Sequence, residues 1–332
     1  MVSGDPSRFA NNGRDLQVYL NIGFDSPSLR PSEIRERIAD DYAEHWQALG
    51  SILSRGATWM VPDDHEYWND YPNYKTNIPT LQALRLNKVR KAWTNAAPDG
   101  GDNIQRALPV ETFKIGNDIR FCLADLRSHR HESDYFLADV HMQQVLNWAT
   151  TLTCPGVLLA SQPLIVDENK DEKNLRSYEA QYATLIQALA ATPYDIVYLS
   201  GDAHFGRVAE VKLGTNGGRL IEVVSSPLSN LTFLNGVATA TPKRTPKHFP
   251  PRGVHVPGTD PQPVRYRRKV STVSKWFDAY PKRRAHEHFM TIGLQQDPGG
   301  VKLTVQAWRV RDQNSSRVPR KEFNTAFATR LA

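Results

Sequence analysis

Five short apolar runs, at residues 56–61, 119–124, 157–160, 195–200 and 220–224, punctuate the chain. Four of them stop abruptly, at Pro62, Asp125, Gly201-Asp202 and Ser225-Ser226-Pro227. Runs that are apolar throughout, without strict alternation, suit strands covered on both faces. Stretches of helical period lie between them. Phe136, Val140, Met142, Val145, Leu146 and Trp148 fall roughly on one face, and residues 178–189 form a second such stretch that Pro193 closes. Alternation of this kind predicts a layered α/β core with at least some parallel strands. The last segment reads differently. Residues 289–294 and 301–305 flank Asp297-Pro-Gly-Gly300, the pattern of an antiparallel hairpin.

Composition narrows the class. The 332 residues are 40% hydrophobic and 23% charged, near globular averages, which excludes a fibrous or wholly disordered chain. Mean hydropathy is −0.51, and no apolar run approaches the roughly 18 residues of a membrane helix. The first residues carry no basic stretch followed by an apolar one, so the expectation is a chain without an export signal, cytoplasmic as written. Cys122 and Cys154 are the only cysteines, too few for a disulfide framework or a four-thiolate zinc site, and both sit among apolar neighbours as core residues would. The net charge of +6 is mild. Much of it falls between Thr241 and His286, where Pro, Arg and Lys dominate and little apolar period is visible. That stretch reads as a long loop or insertion. A solvated basic loop is the plainer account of Lys243 to Arg284, even with Tyr266 and Trp276 interleaved, so nucleic acid is not the expected partner.

The functional signal lies where the runs end. Asp63-Asp-His-Glu66 follows the first run, Asp125-Leu-Arg127-Ser-His-Arg130 the second, and Gly201-Asp-Ala-His204 a later one. Open α/β sheets bind ligands in the crevice outside the carboxyl ends of their strands. Carboxylate oxygens and imidazole nitrogens together suit zinc, manganese or iron. In an extended tip, Asp202 and His204 would point to the same side. Arg127 and Arg130 match the oxygens of an anion, or else pair locally with Asp125 or Glu132.

Four strings taken together resemble the PhoD-like alkaline phosphatases, a branch of the calcineurin-type metallophosphoesterases. They are Asp63-Asp-His-Glu-Tyr-Trp-Asn-Asp70, Asp125-x-Arg127-x-x-Arg130, Ser200-Gly-Asp-Ala-His-Phe205 and Glu222-Val-Val-Ser-Ser-Pro-Leu228, with Gln162-Pro-Leu164 in between. The resemblance runs from about Gln17 to Leu231. It implies a layered α/β/β/α metallophosphoesterase-like sandwich. It implies further that Asp64, Asp202 and His204 ligate metal, that His65 meets the phosphoryl group or protonates the leaving oxygen, and that Arg127 and Arg130 hold the anion or buttress the site. The implied cofactors are divalent or trivalent ions (Fe, Ca, Mn or Zn), and the implied substrate is a small phosphoester.

One stretch departs from the family's pattern. Where a Gly-Asp-Gln-Val-Tyr string is expected, the chain reads Gly13-Arg-Asp15-Leu-Gln17-Val-Tyr19, so Leu16 stands at the bridging position and Asp15 is one place off. One residue of slip in a strand turns a side chain to the opposite face. Only fourteen residues precede Asp15, so the expected sheet lacks its first strands, and an edge left exposed would favour self-association. The expected organisation is an incomplete core over 1–232, a basic Pro-rich loop or insertion over 233–285, and a C-terminal hairpin and tail over 286–332 completing the core. The alternative to a working phosphoesterase is a non-catalytic anion-binding protein with a degenerate metal site.

Overall fold

The computed structural model describes residues 47, 49–59, 61, 108–167, 173–203, 205–214, 218–226, 245–270, 288–313 and 318–332. Four of its strands, β2 (Ile119–Ala124), β3 (Gly156–Ala160), β4 (Ile196–Ser200) and β6 (Arg219–Val224), are parallel neighbours at the centre of a seven-stranded sheet. Antiparallel strands flank them: β1 (Val110–Ile115) beside β2, then β5 (Gly206–Lys212) beside β6, and β9 (Arg265–Val270) beside β5. Helix α1 (Asp139–Thr150) links β2 to β3, and α2 (Glu179–Ala191) links β3 to β4. The apolar runs at 119–124, 157–160, 195–200 and 220–224 thus form the parallel strands predicted from sequence.

Each central strand is covered twice. Cys122, Leu158, Ala160, Tyr198, Ala209 and Leu220 pack with Met142, Val145 and Trp148 of α1 and Leu185, Ile186 and Leu189 of α2. On the other face, Val157, Val197, Val208, Ile221 and Val223 meet Val301, Leu303, Val305, Phe327 and Leu331. Those last residues belong to a second, four-stranded sheet built from β10 (His288–Asp297), β11 (Gly300–Gln313), β12 (Pro319–Lys321) and β13 (Phe327–Leu331). Strands β7 (His248–Phe249) and β8 (Gln262–Pro263) make a small separate pair. Among the described residues the layers are therefore helix, mixed sheet and second sheet, an α/β class. No helix among them is long and apolar enough to cross a membrane.

The predicted hairpin is β10–β11. Asp297 pairs with Gly300, leaving a two-residue loop in which Gly299 takes φ +91°, a conformation that glycine adopts at no steric cost. Both cysteines are buried and free, and burial pushes the Cys122 thiol up to about 12.

Three local expectations change. Residues 57–59 and 61, read as the first strand, join no sheet among the described residues. Instead Trp59 stacks on Phe113 at 4.6 Å, and Phe113 stacks on Phe121 at 4.8 Å, so the apolar residue there serves a ring contact. Val140, placed on the buried face of α1, is 64% exposed, while Phe136 is buried ahead of the helix. Part of the stretch read as a loop over 233–285 is β9, the edge strand of the large sheet. Its burial alternates residue by residue, but Arg268 stands at a half-buried position between Tyr266 and Val270, so Arg-Tyr-Arg-Arg-Lys-Val shows no apolar alternation; its register also shifts opposite Val208 and Ala209.

A buried carboxylate ties the two sheets together. Asp195 accepts from the Arg219 amide (2.8 Å), the Arg219 guanidinium and the Ala332 amide (3.0 Å), and its own amide donates to Ala332 O at 2.8 Å. Arg219 also reaches Thr329 Oγ1 (3.1 Å) and Glu210 Oε1 (3.4 Å), and Arg267 Nε donates to Glu210 Oε2 at 2.7 Å. Burial acts to raise the Glu210 carboxyl, but hydrogen bonds and charge from Arg267 and Arg219 outweigh it and hold the group below its ordinary value of 4.5.

Two predictions follow from this packing. A Cβ on Gly156 would lie 2.9 Å from Trp148 Cη2 and Cζ2 and 3.0 Å from Leu152 Cδ1. Gly156→Ala should therefore cost about 1–3 kcal/mol, read from the urea midpoint at constant m-value. A depressed carboxyl stabilises the fold fully above its ordinary value and loses that contribution as pH falls through the folded value. Glu210→Gln should accordingly make the fall of stability below pH 4.5 shallower than in wild type, measured as thermal midpoint against pH.

Candidate functional site

The carboxyl ends of the four parallel strands deliver Asp125 to Arg130, Ser161-Gln162, Gly201-Asp202 and Ser225 to one end of the sheet. After β2 the chain turns sharply because Asp125 Oδ1 accepts from the amides of Arg127 and Ser128, both at 2.9 Å. Asp125 is thus committed to its own turn and is not the partner of Arg127. That partner is Asp202, 75 residues away. Arg127 Nη2 donates to Asp202 Oδ2 at 2.7 Å, with the two side chains 1% and 6% exposed.

Gln162 joins this pair to Arg130. Its Nε2 donates to Asp202 Oδ2 at 2.9 Å, and its Oε1 accepts from Arg130 Nη2 at 2.7 Å. Arg130 Nε donates to Leu126 O at 2.9 Å, and its guanidinium lies 5.4 Å from the centre of the Tyr178 ring. Three strand ends are therefore joined side chain to side chain, in the order Arg127, Asp202, Gln162, Arg130. Both arginines are buried and donate to neighbouring groups of the protein. His129 and His131 are exposed.

Asp202 has φ +54°, the one non-glycine in the left-handed region among the described residues. The extended tip that would align Asp202 with His204 is thus absent at Asp202, where the chain curls. Gly201 holds the curl by donating its amide to Ser161 O at 2.9 Å, and Ser225 N donates to Ser200 O at 2.9 Å. Aspartate tolerates this conformation better than most residues.

Behind the strand ends lies a second buried pair. Glu222, fully buried, accepts from the amides of Leu164 (2.8 Å) and Ile165 (2.7 Å) on Oε1 and from Arg207 on Oε2, at 2.9 Å from Nε and 2.6 Å from Nη2. Arg207 also donates to Ile165 O and lies under the rings of Phe205 (4.9 Å) and Tyr266 (5.5 Å). Two phenols complete the shell: Tyr198 donates to Gln162 O at 2.8 Å and Tyr182 to Leu164 O at 2.7 Å. Burial, with the Glu222 charge adding to it, pushes both phenols up, so both hydroxyls stay protonated. Sequence reading quoted Glu222 and Gln162 as parts of strings and gave neither a role. The only signal was an ionisable residue inside an apolar run, which a buried strand keeps only when the charge is paired.

Of the expected metal ligands, Asp202 is described, and Asp15, Asp64 and His204 lie outside the described residues, as does His65. No group of three His, Cys, Asp or Glu side chains that could hold an ion occurs among the described residues. Asp202 itself fits the part of a single-oxygen ligand. Both of its hydrogen bonds fall on Oδ2, and ligating carboxylates are held in this way by outer partners.

No protein-family model matches the chain, and no curated protein does. A solved structure titled "Structure of PhoD" matches at 17% sequence identity and a TM-score of 0.35, over 68% of this chain and 58% of that one. The chain thus spans less than two thirds of that protein's length, and a likeness at this level says nothing of residues or chemistry.

A buried pair that loses one member leaves an uncompensated charge, which costs about 3–5 kcal/mol. Arg127→Met is expected to destabilise by that amount in urea. Arg127→Met with Asp202→Asn should recover more than half of it, because asparagine carries no charge and accepts the left-handed backbone.

Proposed function

We propose that the crevice at the carboxyl ends of β2, β3, β4 and β6 hydrolyses phosphoesters with the help of bound metal. The observation that carries this reading is the convergence of Arg127, Gln162 and Asp202 from three separate strand ends on one hydrogen-bonded carboxylate. The motifs singled out in the sequence supply the rest. Asp202 with Asp64 and His204, and Asp15 as a further candidate, would hold the ions; when bound, such ions lower the pKa of water and neutralise phosphoryl charge. Iron, manganese and zinc suit an oxygen and imidazole donor set, and calcium would rest on the oxygens alone.

The chain's own residues have separable tasks in this reading. Arg127 and Gln162 fix the rotation of the Asp202 carboxylate. Arg130 holds Gln162 by its carbonyl, which leaves the amide nitrogen aimed at Asp202. His65, beside Asp64 in sequence, is assigned the proton given to the leaving oxygen. The substrate is a small phosphoester.

Turnover of 4-nitrophenyl phosphate and of bis(4-nitrophenyl) phosphate, measured with Mn, Zn, Fe or Ca added, tests the proposal. Metal-stimulated hydrolysis is expected, with Asp202→Asn and Asp64→Ala each lowering it by at least about 10–100-fold, the loss that even outer partners of a metal site produce. Absence of stimulated turnover, or variants as active as wild type, would refute it. Leu16 at the expected bridging position favours a second reading, an anion-binding protein without catalysis. Calorimetry separates the two: uptake of phosphate without stoichiometric metal supports binding alone, and uptake of two metals per chain excludes it.

A further inference from the structure

The turn from Ser161 to Ile165 is held at most of its backbone groups. Ser161 O accepts from the Gly201 amide, Gln162 O from Tyr198, Leu164 O from Tyr182, and Ile165 O from Arg207, while the amides of Leu164 and Ile165 both end on Glu222 Oε1. So dense a set of bonds places one side chain, Gln162, against Asp202 and Arg130. Glu222 is the single group that binds two successive amides of this turn and is itself anchored by a guanidinium on its other oxygen. It stands on β6, whose Tyr198 neighbour on β4 holds the same turn from the adjacent strand.

We propose that Glu222 is a positioning residue for the crevice. It fixes the 161–165 turn, and through Gln162 it sets the orientation of the Asp202 carboxylate, an assignment that rests on the phosphoesterase reading for its catalytic consequence but not for its structural one. A neutral glutamine at 222 would keep an acceptor for the two amides. A methionine would fill similar volume and keep none. Removing the Arg207 charge in both cases avoids leaving a buried cation behind, and replacement of a buried ion pair as a unit is tolerated far better than loss of one partner.

The test compares Glu222→Gln/Arg207→Met with Glu222→Met/Arg207→Met in the full chain, by amide hydrogen exchange and by turnover. In the Met/Met variant, exchange in peptides covering 161–165 and 200–203 should be at least about tenfold faster than in the Gln/Met variant, with the 139–150 helix unchanged in both. Metal-stimulated kcat should differ by about 10–100-fold with KM moving less than about twofold. Faster exchange confined to 161–165, with 200–203 alike in the two variants, overturns the proposal. If the Met/Met variant does not fold, Glu222→Asp, which keeps the charge and shortens the reach to both amides, is compared with wild type on the same peptides, and unchanged 200–203 exchange overturns it equally. Exchange decides the positioning claim even where wild type turns over no phosphoester, an outcome that refutes only the proposed reaction.

Discussion

Burial of both faces of the central strands governs the rest of this structure. Strands β2, β3, β4 and β6 lie between a helical layer and a second sheet, so along their length they accept apolar side chains almost without exception. Polar chemistry is driven to the strand ends, where backbone turns begin. Because all four run in the same direction, their carboxyl ends fall at one end of the sheet, and groups far apart in sequence arrive within hydrogen-bonding distance. Residues 127, 162 and 202 meet for that reason and for no reason of sequence proximity.

The exception to apolar burial is Glu222, paired with Arg207 of the neighbouring strand β5. A fully buried carboxylate is costly unless every lone pair is engaged, and here one oxygen takes two amides and the other takes the guanidinium. The two buried pairs play different parts. Arg207–Glu222 sits within the sheet and grips backbone, while Arg127–Asp202 sits at its end and leaves one carboxylate oxygen clear of both bonds. The first supplies a rigid turn, and the second holds a carboxylate at the end of the sheet. Gln162 is the part common to both, since the turn carries it and the carboxylate receives it.

The central strands, both helices and the C-terminal hairpin were legible because each has a period or a stop signal of its own: continuous apolar runs, a helical face, Pro-Gly-Gly at a turn. What escaped was written in other terms. Strand β9 carries four cations in six residues, one of them at the half-buried position 268, so neither its hydrophobicity nor its alternation announces a sheet edge. Residues 56–61 are apolar enough for a strand, yet Trp59 uses that character to stack on Phe113. Asp202 was visible as a ligand type, but its left-handed backbone was not, because aspartate takes that conformation only in a minority of positions and no residue beside it demands it.

The partners of the arginines show most clearly where reading along the chain loses its grip. Asp125 and Glu132 are near Arg127 and Arg130 in sequence, and local pairing is the natural expectation for exposed side chains, which choose among neighbours at little cost. These arginines are buried, and burial changes the rule. A desolvated guanidinium must find an acceptor wherever the fold supplies one, and the turn that delivers Arg127 to the crevice has already spent Asp125 on its own amides. Among the described residues, adjacent strands bring two such acceptors, Asp202 from β4 and Gln162 from β3. Long-range pairing is therefore a consequence of the turn chemistry at Asp125. The same logic applies to any basic residue two positions beyond an aspartate that caps the end of a buried strand.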